Sequence, residues 1–450
     1  MAPTDDAPHP ARHRAAQLLG MLLWAQNLQH FLWPVDGLRL VASLLLLPYI
    51  ALTLYQARSL ARRVAVVCSV VMVLALASGA PLSSVLDGLG FVLIFMAFLP
   101  TIGLVRGLFD ILPGLTRVID QIAVASAASR NQAILVVSHI LGALMAVGAM
   151  AAAIPMYRGV HEPVLRREGG LLAVRGISLS FLWTPFTVGM GFAGAHFPQM
   201  PLWQPMLTGM GLSLLGLALT CLRMERGDLA QITSIARKVL LPVILPAAIL
   251  VALNAMTGMN SLSLVCLVMP VLCVIALLAL PAPAGLRAGR LRGLARVGRI
   301  ESGALGGEIL LLASSVSMGI VVSQNPAFVW GLAHLGLAGQ SPPAVFAVLT
   351  VLVLLCSLLG FHATVTGAVV VAIHSGLGDQ PGDLAIVTLL LFGWAGGAML
   401  SASSMLTVLA TSNFGLSLRQ VVFGRNLHFM LLLGAIMVGL YCAFYASGLA

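Results

Sequence analysis

Charge is what this chain has least of. Only 8% of its 450 residues are Asp, Glu, Lys or Arg, against 60% that are hydrophobic, and its mean hydropathy is +1.03. A water-soluble domain carries about a quarter charged residues, so the deficit excludes a soluble fold. Apolar runs near the roughly 20 residues needed to cross a bilayer recur along the whole length. Close cysteine pairs are missing too. Cys68, Cys221, Cys266, Cys273, Cys356 and Cys442 all lie within or at the ends of apolar runs with no CxxC spacing. That excludes a zinc site or a disulfide framework and leaves small packing residues. There is no HExxH, and no metal or cofactor is expected. The opening "MAPTDDAPHPARHRAAQLLG" runs into the polar "WAQNLQH" with no small-x-small cleavage site, so residues 1–15 read as a cytoplasmic tail rather than a signal peptide.

What is there is arginine in short loops. The net charge is +10, but the basic residues sit beside apolar runs, as the positive-inside rule places them. A nucleic-acid partner is therefore not expected; the lipid bilayer is. The expected fold class is an all-α polytopic membrane protein with about 10–13 transmembrane segments. Candidate spans fall at 16–34, 37–56, 63–80, 86–104, 131–154, 177–197, 204–222, 238–256, 260–280, 303–323, 342–360, 361–376, 384–400 and 427–448. The stretch 282–302, with Arg287, Arg290, Arg292, Arg296 and Arg299 against Glu301 alone, reads as a basic cytoplasmic loop that divides the chain. A second basic loop lies around Arg223, Arg226, Arg237 and Lys238.

The two sides of that divide resemble each other. "NQAILVVSHILGALMAVGAM" from Asn131 is similar to "GGEILLLASSVSMGIVVSQN" from Gly306. "WTPFTVGMGFAGAH" from Trp183 pairs with "HATVTGAVVVAIH" from His362, and "DLAQITSIARK" from Asp228 with "SLRQVVFGRN" from Ser417. Matching His139 with Ser315, Trp183 with His362 and Asp228 with Ser417 gives offsets of 176 to 189 residues in one order. The organisation expected is N-terminal transmembrane helices at 16–130, a first repeat at 131–281, the basic loop, and a second repeat at 303–450. Internal repeats with broken helices are a mark of secondary transporters, whose substrate site lies where the repeats meet.

Polar and helix-weakening residues inside apolar runs point to that site. In hydrocarbon a helix break survives only where it lines a cavity or packs on protein. "RGISLSFLWTPFTVGMGFAG", from Arg175 to Gly194, holds Pro185, which lacks a donor, with Thr184 and Thr187 beside it. "HATVTG" holds His362, Thr364 and Thr366. "GWAGGAMLSASSMLTVLATSNFG" combines Gly393, Gly396 and Gly397 with the hydroxyls of Ser401, Ser403, Ser404, Thr407, Thr411 and Ser412, and with Asn413; a broken or re-entrant helix fits it. Thr184, Thr187, His362, Thr364, Thr366, Ser401, Ser403, Ser404 and Asn413 are the candidate substrate-binding residues. His362 and Glu308 are candidates for a coupling proton, because ionisable groups inside membranes are costly and face protein or water. Glu308 reads equally as a surface residue paired with Arg299. His374 reads as a membrane-surface residue, and Asp87, Asp110, Asp120, Asp379 and Asp383 as loop residues.

These features resemble the ion transporter superfamily, the group of dicarboxylate, citrate, arsenite and gluconate permeases. The resemblance is in general plan over 131–425; "WTPFTVG" and "HATVTG" look like that group's broken-helix segments, while "TSN" at Thr411 to Asn413 departs from its Ser-Asn-Thr signature. It implies an elevator-type carrier, often a homodimer, for a small organic or inorganic anion. The function expected is a secondary active transporter of the inner membrane, coupled to protons or sodium. The alternatives are an integral membrane enzyme of lipid-linked glycan assembly, which needs a sizeable polar loop where the longest candidates here, 105–130 and 155–176, are short, and a non-transporting membrane subunit.

Overall fold

A computed structural model of the chain describes residues 10–57, 59–111, 113–225, 227–279, 284–303, 305–334, 336–337, 339–378 and 380–448. Among these there is no strand. The first helices are α1 (Pro10–Leu32), α2 (Asp36–Thr53), α3 (Ser59–Ala77), α4 (Ser83–Ile111), α5 (Pro113–Ala123), α6 (Ala127–Met145) and α7 (Ala149–Ala153). They are followed by α8 (Pro163–Ser180), α9 (Val188–His196), α10 (Trp203–Cys221), α11 (Leu229–Thr257), α12 (Ser261–Ala279), α13 (Ala284–Gly303) and α14 (Gly306–Ser323). The last are α15 (Pro326–His334), α16 (Pro342–Leu358), α17 (Ala363–Gly376), α18 (Asp383–Leu400), α19 (Met405–Phe414), α20 (Leu418–Val422) and α21 (Arg425–Ala446).

Among the described residues nine helical stretches are long and apolar enough to cross a bilayer, which makes this a multi-pass membrane protein. The number is lower than the sequence suggests because several helices stop short: α16 has 17 residues and α17 has 14. Three of the nine stretches, Ala127–Tyr157, Asp383–Phe414 and Leu418–Ala446, also run through a break in the helix.

The chain folds as two units. The first comprises residues 1–108 and 265–328. Here α3 lies against α14, and α1 against α2 and α13. The basic stretch expected as a loop is thus a helix, α13, for Arg, Leu and Ala are good helix formers and the face carrying Gly303 closes on Gln17 of α1. The Gln56 amide donates to the Gly303 carbonyl at 2.8 Å. Glu308 sits in the first turn of α14 with its side chain exposed; the side chains of Arg287, Arg299 and Glu301, like residues 1–9, Arg226 and Asp379, lie outside the described set. Asp87, Asp110 and Asp120 are helical rather than in loops, and Asp383 opens α18. The stretches 105–130 and 155–176, expected as loops, are occupied largely by α4, α5 and α8.

A buried asparagine ties this unit together. The Asn325 amide, 3% exposed, donates to the Ala75 carbonyl at 2.7 Å and to the Ser78 hydroxyl at 2.8 Å. Its Oδ1 accepts from the backbone of Ala327 at 2.7 Å and Phe328 at 3.2 Å, capping α15.

The second unit comprises residues 109–264 and 329–450. One order of parts occurs twice in it. A long helix (α6, α16) stops at a turn, a shorter helical piece follows (α7, α17), then an 18-residue helix (α8, α18), a break, a short helix (α9, α19) and a long one (α10, α21). Ala127 matches Pro342, Ala149 matches Ala363, Pro163 matches Asp383, Val188 matches Met405 and Trp203 matches Arg425, so equivalent starts lie 214 to 222 residues apart. This is not the register read from sequence. In the 176 to 189 register, Asn131 falls in this unit and Gly306 in the other. Asp228 opens the 29-residue α11, while Ser417 caps the five-residue α20.

Replacing Asn325 with alanine removes the cap bond of the Ala327 amide and the bonds from the side-chain amide to Ala75 and Ser78. We expect a loss of about 2–3 kcal/mol, read as a lower midpoint of thermal unfolding in detergent.

Candidate functional site

The first break follows from its residues. α8 ends at Ser180 and Pro185 cannot donate to a continuing helix. The chain turns through Phe181–Phe186 before Thr187 caps α9, its hydroxyl accepting from the Met190 amide at 3.4 Å. The Thr184 hydroxyl reaches across to the Ala143 carbonyl near the end of α6, at 2.5 Å. The backbone of the break is held by the buried Trp183, whose indole N–H donates to His139 Nε2 at 3.1 Å. His139 Nδ1 donates in turn to the Gly176 carbonyl at 3.1 Å, and the Ser213 hydroxyl lies 3.4 Å from Nε2. With Nε2 accepting and Nδ1 donating, this geometry assigns a neutral imidazole. His139 pins the break to α6, α8 and α10. It is a positioning residue that a lone histidine in an apolar run gives no sequence signal to distinguish.

The second break, Ser401–Ser404, lies between α18 and α19. Ser401 and Ser403 share a hydroxyl contact of 2.8 Å, and Ser403 Oγ donates to the Gly360 carbonyl at 3.0 Å. Gly360, at φ +84°, makes the turn between α16 and α17. Ser404 caps α19 by accepting from the Leu406 amide at 3.2 Å and donates to the Ala398 carbonyl at 2.9 Å. His362 caps α17. Its Nδ1 accepts from the Thr364 amide at 3.3 Å and pairs with the Thr364 hydroxyl at 2.9 Å. With Nδ1 accepting, the hydrogen of the neutral ring lies on Nε2.

The bond from Ser403 to Gly360 thus holds the second break, with Ser401, Ser403 and Ser404, to the turn that precedes His362 and Thr364. The "HATVTG" stretch, expected as an opened backbone, is instead the start of a continuous helix. Gly367 serves close packing, since a Cβ there would stand 3.1 Å from both Phe192 of α9 and Trp394 of α18. Thr366 is buried in α17. Phe192 and Trp394, with ring centroids 5.1 Å apart, join the short helix after the first break to the long helix before the second.

Other candidates lie elsewhere. Asn413 is at the far end of α19, nine residues beyond Ser404; its amide donates to the Leu409 carbonyl at 2.9 Å and its own carbonyl accepts from Arg166 at 3.0 Å. Glu308 belongs to the first unit. His374 is buried in the last turn of α17. It is 1% exposed, with Nε2 3.2 Å from the Asp383 carboxylate and its ring against Phe197. Thr407, in the first turn of α19, is 1% exposed and its hydroxyl has no partner.

The two breaks are built alike. Thr184 bonding Ala143 matches Ser403 bonding Gly360; the caps Thr187 and Ser404 match; Phe414 on Tyr157 matches Phe197 on His374. Gly176 and Gly393 both press onto the preceding long helix, at Leu135 and Val353. The breaks carry hydroxyls, helix N-termini and one imidazole, with no carboxylate in them. Such a set offers hydrogen-bond donors and positive dipole ends to an anion. Among the described residues no three His, Cys, Asp or Glu side chains come together to hold a metal. Comparison with protein-family models and with curated proteins finds no match to the chain.

The first break also leaves no room behind it. A Cβ on Gly209 of α10 would stand 1.8 Å from the Leu182 carbonyl oxygen, whereas Gly211 has nothing within 4 Å. Gly209→Ala should cost about 3 kcal/mol or more through backbone displacement, and Gly211→Ala should unfold at the wild-type temperature or slightly above it. Thermal melts of the two purified variants test this.

Proposed function

We propose that the protein is a secondary active transporter that moves a small anionic solute across the inner membrane by alternating access. The observation that carries this reading is the twofold run of helix, turn, half-helix, helix, break, half-helix and helix in the second unit. We take it as an internal duplication in the 214 to 222 register. Its final helices, α10 and α21, run in opposite directions: Gly216 packs on Phe429, and Thr220 shares Arg175 with Asn426, so the end of one lies beside the start of the other. Equivalent helices of opposite direction belong to inverted repeats, and inverted repeats place broken helices around a mid-membrane site.

In this reading Thr184, Thr187, Ser401, Ser403, Ser404 and Thr364 line the site, and the unpartnered hydroxyl of Thr407 donates to the solute at the start of α19. Thr366 supports α17 from its buried side. His362 holds the coupling proton on an imidazole that also caps α17. A second proton would displace the cap bond to the Thr364 amide, which links protonation to the position of α17. The proposal agrees with what the resemblance to the ion transporter superfamily implies, with sodium as the other candidate for the coupling ion.

Reconstituted in proteoliposomes, the protein should accumulate at least one of succinate, citrate, gluconate or phosphate under an inward proton or sodium gradient. His362→Ala should cut proton-driven uptake by about tenfold or more. Single cysteines at 184, 187, 403 and 404 should react with a water-soluble maleimide and be protected by the carried anion. Uptake no faster than in empty liposomes for every anion and both gradients would sink the proposal.

A further inference from the structure

Arg175 is a cation inside the second unit with no anion to answer it. It sits on α8, five residues before the helix ends, and its guanidinium lies 4.4 Å from the centre of the Phe429 ring. Nη1 donates to the Thr220 hydroxyl at 3.3 Å and Nη2 to Asn426 Oδ1 at 3.0 Å. Both acceptors are neutral. Its Nε is buried without a partner. The charged groups that face it are Arg223, just past the end of α10, and Arg425, at the start of α21, and neither is a carboxylate.

A second group points the same way. Asn426 is 0% exposed, and while its Oδ1 is taken by Arg175, its Nδ2 has no acceptor. It is the second residue of α21, a 22-residue helix whose first turn presents amides and a positive dipole end. A buried cation left unpaired is costly, and a buried amide donor left unpaired costs again. Here both occur side by side, with two further arginines at the rim and a helix N-terminus beneath. Every unmet group is a donor or a positive charge.

We infer that Arg175, Asn426 and the start of α21, rimmed by Arg223 and Arg425, form an oxyanion-binding site for a carboxylate or phosphate group. The guanidinium Nε and the Asn426 Nδ2 are the two unmet donors that would bond the oxyanion, and the arginines at the rim attract the charge. The chemistry is that of a soluble anion or of an anionic lipid headgroup. The site stands whether or not the protein carries a solute at its helix breaks, because none of those residues is part of it.

Thermal unfolding of the purified full-length protein tests the inference. Inorganic phosphate and succinate are compared with chloride at equal ionic strength, and phosphatidylglycerol with phosphatidylcholine in mixed micelles. At least one anion should raise the midpoint by about 3 °C or more. A rise with phosphate or succinate identifies a soluble anion; a rise with phosphatidylglycerol alone identifies a lipid headgroup. Arg175→Gln should abolish the rise. Asn426→Asp, which puts a carboxylate beside the guanidinium, should remove the anion dependence and hold the midpoint high without added anion, so the test stands even if Arg175→Gln fails to fold. No rise with any of the three in the wild type, or a rise undiminished in Asn426→Asp, would overturn it.

Discussion

A helix that stops inside hydrocarbon leaves carbonyls and amides that no water will satisfy, and each must find a partner within the protein. Everything distinctive in the second unit follows from how this demand is met. The Thr184 and Ser403 hydroxyls donate to carbonyls at the ends of α6 and of the turn after α16. Thr187, His362 and Ser404 accept the first amides of the helices that follow. With these bonds made, the chain can be interrupted after α6, α8, α16 and α18 with the freed backbone groups partly satisfied by side chains. Without them α8 and α9, or α18 and α19, would have to be continuous rods.

Satisfying the backbone in this way consumes most of the hydroxyls that composition singles out. Ser401, Ser403, Ser404 and Thr184 each hold a bond to the protein itself. A solute that displaces one of them must replace its bond. Thr407 differs, with a buried hydroxyl still unmatched. His139 shows the opposite extreme, an ionisable group whose two nitrogens are both engaged, so that it serves as a fixed strut. Charge is kept apart from the breaks, at Arg175, where the guanidinium meets only neutral acceptors.

The order of parts that recurs in the second unit has a different register from the likeness read in the sequence. Positions that do the same work carry different side chains: Thr184 and Ser403, Thr187 and Ser404, Ala146 and Gly360, Tyr157 and His374. Ala146 even takes a positive φ of 48°, where glycine fits more easily. What recurs is a hydroxyl at one place and a chain reversal at another, and many residue types satisfy each. Apolar helices meanwhile resemble one another wherever they occur, so "WTPFTVG" reads more like "HATVTG" than like "SASSM", the stretch that occupies the second break.

From the sequence alone came the membrane class, the approximate positions of many of the apolar helices, the interruption at Pro185 and the hydroxyl-rich stop after Leu400. These depend on hydropathy, on a missing amide hydrogen and on local capping, all properties of neighbouring residues. Only the tertiary structure decided that His362 is a cap, that Asn413 lies at the wrong end of α19, that His374 is buried on Asp383, that 284–303 is a helix and that Arg175 turns inward to α21. The last of these joins residues 251 apart in the chain, and in an all-apolar sequence nothing local encodes that meeting. It is set by close approach at glycines such as Gly176, Gly367 and Gly393, whose partners are specified by shape once the helices pack.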